Sequence, residues 1–267
     1  MPTLLKAACL GIVQGLTEFL PVSSTAHLLI SERVIGFSDP GGVFTVMIQL
    51  GSIVAVVWLY RAKVLSVIAG LPTRPEARRF ALMIVLATVP ALVAGLFFSK
   101  FVKSVLYGSF VVIAVALIAG GIIMLVVERF RPAPDVISVD QLPVGRAVAI
   151  GAFQALALIP GVSRSGGTIV AAMAMRVDRA AAAEFTFFLA MPTMTAAFAH
   201  DLLDLRHSLG SARAAEIAVG FVMALLSSAL VIKPFLNYVR RSGFAPFAWY
   251  RIALGLALLA AVAAGWT

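Results

Sequence analysis

Hydrophobic positions along this chain do not alternate with polar ones; they run on in blocks of about 20 residues, the length of helix that crosses a bilayer core. Three such blocks cover roughly 43 to 61, 79 to 98 and 107 to 127, and three more cover about 183 to 200, 214 to 233 and 246 to 265. Continuous runs favour helices over a closed barrel, the two ways a backbone is satisfied in lipid. Two further blocks are interrupted. Residues 4 to 20 and 24 to 36 flank a break at Pro21, and residues 146 to 159 and 165 to 176 flank one at Pro160. None of these arms is a comfortable span alone. They predict helix-break-helix hairpins that dip into the membrane and return, a backbone tolerated only inside protein or against a wet cavity.

The two hairpins read as copies. Gly11 to His27 is GIVQGLTEFLPVSSTAH and Gly151 to Thr168 is GAFQALALIPGVSRSGGT, so Gly11 pairs with Gly151, Gln14 with Gln154 and Leu16 with Leu156. Phe44 and Phe185, each at the start of the span after a hairpin, stand at nearly the same offset. The pattern predicts an all-α polytopic membrane protein, a single membrane domain over 1–267. Repeat one covers about 1–128, a linker with Pro132, Pro134 and Pro143 covers about 129–144, and repeat two covers about 145–267. Three spans between the hairpins make them enter from opposite sides. The halves are then inverted-topology repeats, each with one re-entrant hairpin and three transmembrane helices, and their breaks meet near the midplane.

Composition agrees with the pattern: of 267 residues, 61% are hydrophobic and 12% charged, against about 25% charged in a soluble domain. The formal net charge of +9 would suit nucleic acid, but the basic residues cap the apolar blocks, where topology and anionic lipid headgroups account for them. Membrane lipids, and no nucleic acid, are the expected partners. Arg61, Lys63, Arg74, Arg78, Arg79, Arg129, Arg131, Arg146, Arg176, Arg179, Lys233, Arg240 and Arg241 fall on one face; Lys6, Arg33, Lys100, Lys103, Arg206 and Arg213 fall on the other. The positive-inside rule puts the larger set in the cytoplasm and both termini outside. Cys9 stands alone, which leaves no intramolecular disulfide or cysteine metal cluster. Gln14 and Glu18 in the first block, with no A-x-A site after it, argue against a cleavable signal peptide.

The candidate chemistry sits at the breaks. Gln14 and Glu18, four apart, share a helix face, and a carboxylate in hydrocarbon marks a functional site by default. Ser23, Ser24 and Thr25 stand at a helix start, where any one could serve as an N-cap. His27 follows Ser24 by three residues, the spacing of a nucleophile with a base in reach. In the second copy, Arg164 lies among Ser163, Ser165, Gly166, Gly167 and Thr168. A guanidinium fork matches phosphate oxygens, and glycine-rich backbone at a helix start offers N–H groups to an anion. An internal Arg164–Glu18 pair is the alternative, and both can hold at once. Together these residues suggest phosphoryl transfer within the membrane. Glu18 could orient His27 or hold a divalent cation, magnesium or calcium, although one carboxylate makes no all-protein metal cage. No organic cofactor is expected. His200, Asp201 and Asp204, at a span end, are expected simply to face water.

At these residues the sequence resembles the undecaprenyl-diphosphate phosphatase family, the bacitracin-resistance type of bacterial inner membranes. The resemblance rests on QGLTEFLPVSSTAH, FTVMIQLGSIVAVV from Phe44, PGVSRSGGTI and EFTFFLAMPTM from Glu184, and it covers essentially the whole chain in order. It implies removal of the terminal phosphate of undecaprenyl diphosphate, which recycles the lipid carrier for peptidoglycan and other cell-wall polymers. It also implies an inverted-repeat fold, a homodimer and a site opening to the periplasmic face. Glu18, Ser24, His27 and Arg164 map to the catalytic positions. Gln14, Ser23, Thr25, Ser163, Ser165, Gly166, Gly167 and Thr168 map to the phosphate-binding ones. Many members carry glutamate where this chain has Gln14, an amide that can be neither base nor anionic ligand. Either Ser24, with His27 as base, or His27 itself is the nucleophile. The competing class is a polyprenyl-phosphate transporter, or flippase, built on the same inverted repeats and anion clamp; a carrier has no need of the Glu18, Ser24 and His27 group. Lipid phosphatases with a Pro-Ser-Gly-His motif are a poorer match, since no second-histidine motif is visible.

Overall fold

The computed structural model describes residues 1–205 and 211–266, so Arg206 lies outside it, as do the side chains of Lys100, Lys103, Asp201 and Asp204. Among the described residues the regular secondary structure is helical apart from one isolated bridge, Val136 to Val177. The first hairpin is α1 (Thr3–Thr17) and α2 (Ser24–Ile35). It is followed by α3 (Val43–Leu59), α4 (Arg61–Gly70), α5 (Pro75–Val105) and α6 (Phe110–Phe130). The second hairpin is α7 (Val144–Gln154), prolonged by a 3-10 turn at Ala155–Leu158, and α8 (Arg164–Ala174). Then come α9 (Arg179–Leu205), α10 (Ser211–Ser242) and α11 (Ala245–Ala263).

Five of these, α5, α6, α9, α10 and α11, are long and apolar enough to cross a membrane. The sixth expected span is α3, 17 residues and so about 26 Å long at 1.5 Å per residue, bent by 72° against α4. The hairpin arms are shorter still: α1 has 15 residues and α8 has 11. The chain is a multi-pass membrane protein on these lengths.

Two stretches depart from the expected loops. The basic stretch after residue 61 is helical as α4, because Arg61–Gly70 contains good helix formers and its charges sit only at the first turn. The linker does not hang free. Val136, Val139 and Leu142, three apart, are buried, and the Asp178 N–H donates to the Val136 carbonyl at 2.8 Å. Arg79 donates to the carbonyls of Asp140 and Leu142 at 2.8 and 2.9 Å. Arg146 grips Asp135 through two bonds of 2.5 and 3.0 Å, and this holds the Asp135 carboxyl below the usual carboxylate range. The long helices also overrun their apolar blocks, because helices stop at stop signals rather than at the edge of hydrocarbon. One such signal is Gly243, whose φ of 70° ends α10.

Packing brings the two halves through one another. The first arm of each hairpin lies against a long helix of the other half, α1 on α10 and α7 on α5. Glycine makes both approaches possible: a Cβ on Gly11 would stand 2.3 Å from the Gly220 carbonyl oxygen, and one on Gly151 would stand 1.9 Å from that of Ala87. These are the two glycines the repeat pairs, and small residues are what let membrane helices approach closely. α6 and α11 run along each other, and α3 touches both α9 and α10. Phenylalanines are the bulkiest of the apolar side chains in the main core cluster. Phe19, at the first break, meets Phe187 of α9 edge-on with ring centroids 5.2 Å apart.

Replacing Gly151 by valine should therefore lower stability by about 2 kcal/mol, the usual cost of overpacking. Gly145→Val, where an added Cβ meets nothing, should stay within about 0.5 kcal/mol. Thermal unfolding of both variants in one detergent checks the difference.

Candidate active site

The first break begins where α1 stops. Glu18 still has helical angles, and its N–H bonds the Gln14 carbonyl at 3.0 Å. The chain then turns, and Ser23 takes a φ of 72°, a left-handed conformation unusual for a side-chain-bearing residue and the kind of strain found at functional sites. From there the Ser23 hydroxyl caps α2, accepting from the Ala26 N–H at 3.4 Å. The second break is built alike. Ser163 caps α8 by accepting from the Gly166 N–H at 3.0 Å, which makes Arg164 the first residue of that helix.

Glu18 is the meeting point. It is 5% exposed, and both of its oxygens are in use. Oε2 accepts from Gln14 Nε2 at 2.8 Å and from the Ser24 hydroxyl at 2.7 Å. Oε1 accepts from Arg164 Nη2 at 3.0 Å, across 146 residues of sequence. Arg164 Nη1 donates to the Thr186 carbonyl of α9 at 3.2 Å, while its Nε is buried with no partner. The Gln14 side-chain carbonyl is likewise buried and unpartnered. Beside the buried ion pair there are thus an unpartnered donor and an unpartnered acceptor, both enclosed. Gln14, expected among the phosphate-binding residues, lies behind the wall of the adjoining cavity rather than on it.

A cavity of about 400 Å³ opens on this group. Glu18, Ser23, Ser24, Thr25, Ser163 and Arg164 lie on its wall, joined by Gln49, Gln154 and Thr193. Gln154, the repeat partner of Gln14, donates to the Thr193 hydroxyl at 3.1 Å and leaves its own carbonyl unpartnered. Most of the remaining wall is apolar, from Ala91, Leu92, Gly95 and Leu96 of α5 and Met194 and Ala197 of α9, with Ser99 and Tyr107 adding hydroxyls. Leu96 is 67% exposed and a Cβ on Gly95 would meet nothing, so the α5 side of the cavity borders open space. His200, expected simply to face water, is exposed and also lines the wall.

Not every expected residue faces the cavity. Ser165 donates to the Leu20 carbonyl at 2.8 Å and so ties one break to the other. Thr168 is engaged by the Arg164 carbonyl and by the Thr186 hydroxyl. Gly166 and Gly167 lie in the first turn of α8, behind Ser163. Ser24 and His27, expected to face each other, part company. Three residues along a helix brings two side chains to the same side but does not aim them. His27 Nδ1 meets the Ser23 carbonyl at 2.8 Å and Nε2 meets the Tyr250 hydroxyl at 2.7 Å. A carbonyl only accepts, so Nδ1 carries a hydrogen, and the neutral form of the ring would accept from Tyr250 at Nε2. The imidazole also stacks on the Tyr250 ring, with centroids 5.6 Å apart.

Sequence reasoning missed Tyr250, Thr186 and Thr193, which only tertiary contact brings here. It also passed over Arg251, although a charge inside the block 246–265 was the signal already applied to Glu18 and Arg164.

The geometry can be set beside known proteins. The family model described as "Bacitracin resistance protein BacA" matches residues 7–257. The chain belongs to that family. Among curated BacA-type relatives, undecaprenyl-diphosphatase of Cereibacter sphaeroides (strain ATCC 17025) is 49% identical over 263 residues, 98% of each chain. The protein of that name from Paracoccus denitrificans is 46% identical over 97% of each chain, and undecaprenyl-diphosphatase 1 of Agrobacterium fabrum is 47% identical over 98% of each.

Breaking the buried pair should leave a charge without compensation. Glu18→Gln is expected to cost about 2–3 kcal/mol, at or below the usual 3–5 for buried pairs because Arg164 borders the cavity. The double variant with Arg164→Gln should recover part of that loss, read as a non-additive shift in thermal unfolding.

Proposed function

We propose that this protein removes the terminal phosphate of undecaprenyl diphosphate, releasing undecaprenyl phosphate and inorganic phosphate, and so recycles the lipid carrier used for peptidoglycan. The observation that carries the reading is the Ser24–Glu18–Arg164 chain of contacts, a hydroxyl and a guanidinium held on one carboxylate at 2.7 and 3.0 Å on a cavity wall. The names of close relatives give the substrate.

In this reading the terminal phosphate enters between Ser24 and Arg164. Its oxygens compete with Glu18 for the guanidinium and reach the Arg164 Nε that has no partner. Glu18, released from Arg164, keeps the Ser24 hydroxyl and accepts its proton as Ser24 Oγ attacks phosphorus. The bond between phosphorus and the bridging oxygen breaks, and the bridging oxygen leaves on undecaprenyl phosphate with the proton from Glu18. Water then attacks the phosphoserine; Glu18 takes one of its protons and returns it to Ser24 Oγ, freeing phosphate. His27, turned to Tyr250, stabilises the start of α2 instead of acting as the base. Donors fixed in advance around the phosphate, in a pocket with little water, supply most of the rate enhancement.

Gln14 and Glu18 provide two oxygen ligands, enough for a divalent cation that arrives with the diphosphate and not for a cage of protein ligands. Among the described residues no group of three or more His, Cys, Asp or Glu is placed to hold a metal. A cation there would neutralise phosphate charge, and the side chains above would keep their roles.

The apolar stretch of wall from Ala91, Leu92, Leu96, Met194 and Ala197 suits the first isoprene units, with the rest of the chain in lipid. The inverted-topology reading is supported by the reciprocal packing of α1 on α10 and α7 on α5 through paired glycines. The orientation is supported by the basic residues: Lys63, Arg79, Arg146 and Arg176 all tie down the linker, while Lys6 and Arg213 bind Gly36 and Asp39. On that orientation the protein lies in the bacterial inner membrane with its termini and cavity mouth outside. The homodimer rests on the family resemblance alone.

Phosphate release from a polyprenyl diphosphate by purified protein tests the proposal. Ser24→Ala, Glu18→Gln and Arg164→Ala should each lower kcat by at least about 100-fold, and His27→Ala by much less. Turnover near wild type in Ser24→Ala would assign the nucleophile elsewhere. Gln14→Glu, which adds a carboxylate, should lower the divalent-cation concentration needed for half-maximal release.

A further inference from the structure

Next to Tyr250, α11 carries an arginine that the reaction above leaves unused. Arg251 is 2% exposed and is the largest fully buried side chain among the described residues. Its Nη1 donates to the Pro21 carbonyl at 3.2 Å, its Nη2 to those of Gly161 and Ala116 at 3.2 Å each, and its Nε to that of Leu117 at 3.4 Å. All four partners are backbone oxygens. Ala116 and Leu117 belong to α6, whereas Pro21 and Gly161 lie at the two breaks, each two residues before the capping serine of the helix that follows. One guanidinium thus holds both breaks at corresponding positions.

Space is left for it by missing side chains. A Cβ on Gly120 would stand 2.1 Å from Nη2, and one on Gly166 would stand 2.9 Å from Nη1. A charge this deep in a membrane protein is costly, and such charges pair with one another or with carbonyls and mark working parts. Broken helices leave carbonyls without helical donors, natural acceptors for a cation. A rigid fork of five N–H groups can serve four of them at once; an ammonium with three cannot.

Among the described residues, hydrogen bonds from Ser165 to the Leu20 carbonyl and from Arg164 to Glu18 also tie the breaks together. The second of these is the bond that an incoming phosphate has to open. We infer that Arg251 is a positioning residue for the hydrolysis: it fixes the Pro21 and Gly161 carbonyls on one guanidinium, so that Ser24 and Arg164 keep their separation while the Glu18–Arg164 pair gives way to substrate. The inference rests on the phosphatase reading for its consequence, and on the four carbonyl contacts for its geometry.

The test compares full-length wild type, Arg251→Lys, Arg251→Met and Gly120→Ala in detergent, with a polyprenyl diphosphate as substrate. A misplacement of about 1 Å costs on the order of 100-fold, so kcat should fall by about that factor in all three variants, with KM within roughly twofold. Lysine should not rescue. Gly120→Ala displaces the guanidinium without removing it, so it should add nothing to the loss in an Arg251→Met background. Full turnover in Arg251→Lys, a parallel rise in KM, or additive losses would overturn the inference. A second measurement is independent of turnover: spin labels at Leu16→Cys and Leu156→Cys, both on exposed positions flanking the breaks, in a Cys9→Ala background. Arg251→Met should broaden the distance between them, and an unchanged distribution refutes the clamp. If wild type releases no phosphate, the phosphatase reading fails, and the label distances still decide whether Arg251 holds the breaks.

Discussion

A carboxylate nearly closed off from water is neutralised here by a guanidinium on the other half of the chain. Glu18 and Arg164 stand 3.0 Å apart, and neither would be tolerable there without the other. Taking both from water costs several kcal/mol per ion, and their attraction offsets this only when the remaining lone pairs and protons are also bonded. For Glu18 that condition is met in full, by Gln14 and Ser24. For Arg164 it is met in part, because Nε is left over. Arg164 itself stands on a cavity wall, so the pair is better suited to being opened by an anion than to holding the fold together.

The broken helices exist to bring that pair about. A continuous helix uses its carbonyls internally and has no end to offer at the midplane. Two breaks supply two fresh helix starts, each capped by its own serine, and a set of free carbonyls that Arg251 and Ser165 collect. Close packing through Gly11 and Gly151 then fixes the short arms, which are too brief to be anchored by hydrophobic length.

Much of this could be read from the residues. Length and continuity of apolar blocks gave the spans, and Pro21 and Pro160 gave the breaks, because both signals are local. The Glu18–Arg164 contact was foreseeable because an isolated charge in hydrocarbon has to find a partner and few were on offer. The docking of the linker was also written locally, in the three-residue spacing of Val136, Val139 and Leu142, but prolines and charges masked it. The aim of His27 was not available. Helical spacing says which residues share a side, whereas the direction of a ring depends on what faces it, and Tyr250 arrives from 223 residues away. Arg251 resembled one more basic residue near a helix end, since it lies only six residues into α11.

On the duplicated reading, the site is chemically useful because its halves no longer match. Counting from the paired glycines, Glu18 corresponds to Leu158, Ser24 to Arg164 and His27 to Gly167. One break retains an acid and a hydroxyl, the other a cation, while Gln14 and Gln154, Ser23 and Ser163, and Pro21 and Gly161 keep parallel duties in both. Two identical breaks meeting at the midplane would set like charges against each other, acid to acid or arginine to arginine, at a separation where repulsion in low dielectric is severe. Divergence turns that repulsion into an ion pair. It also leaves an arginine beside a hydroxyl, so an anion that claims the first is delivered to the second. The paired serines cap the two helix starts, and the unlike residues Glu18, Ser24 and Arg164 meet on the cavity wall.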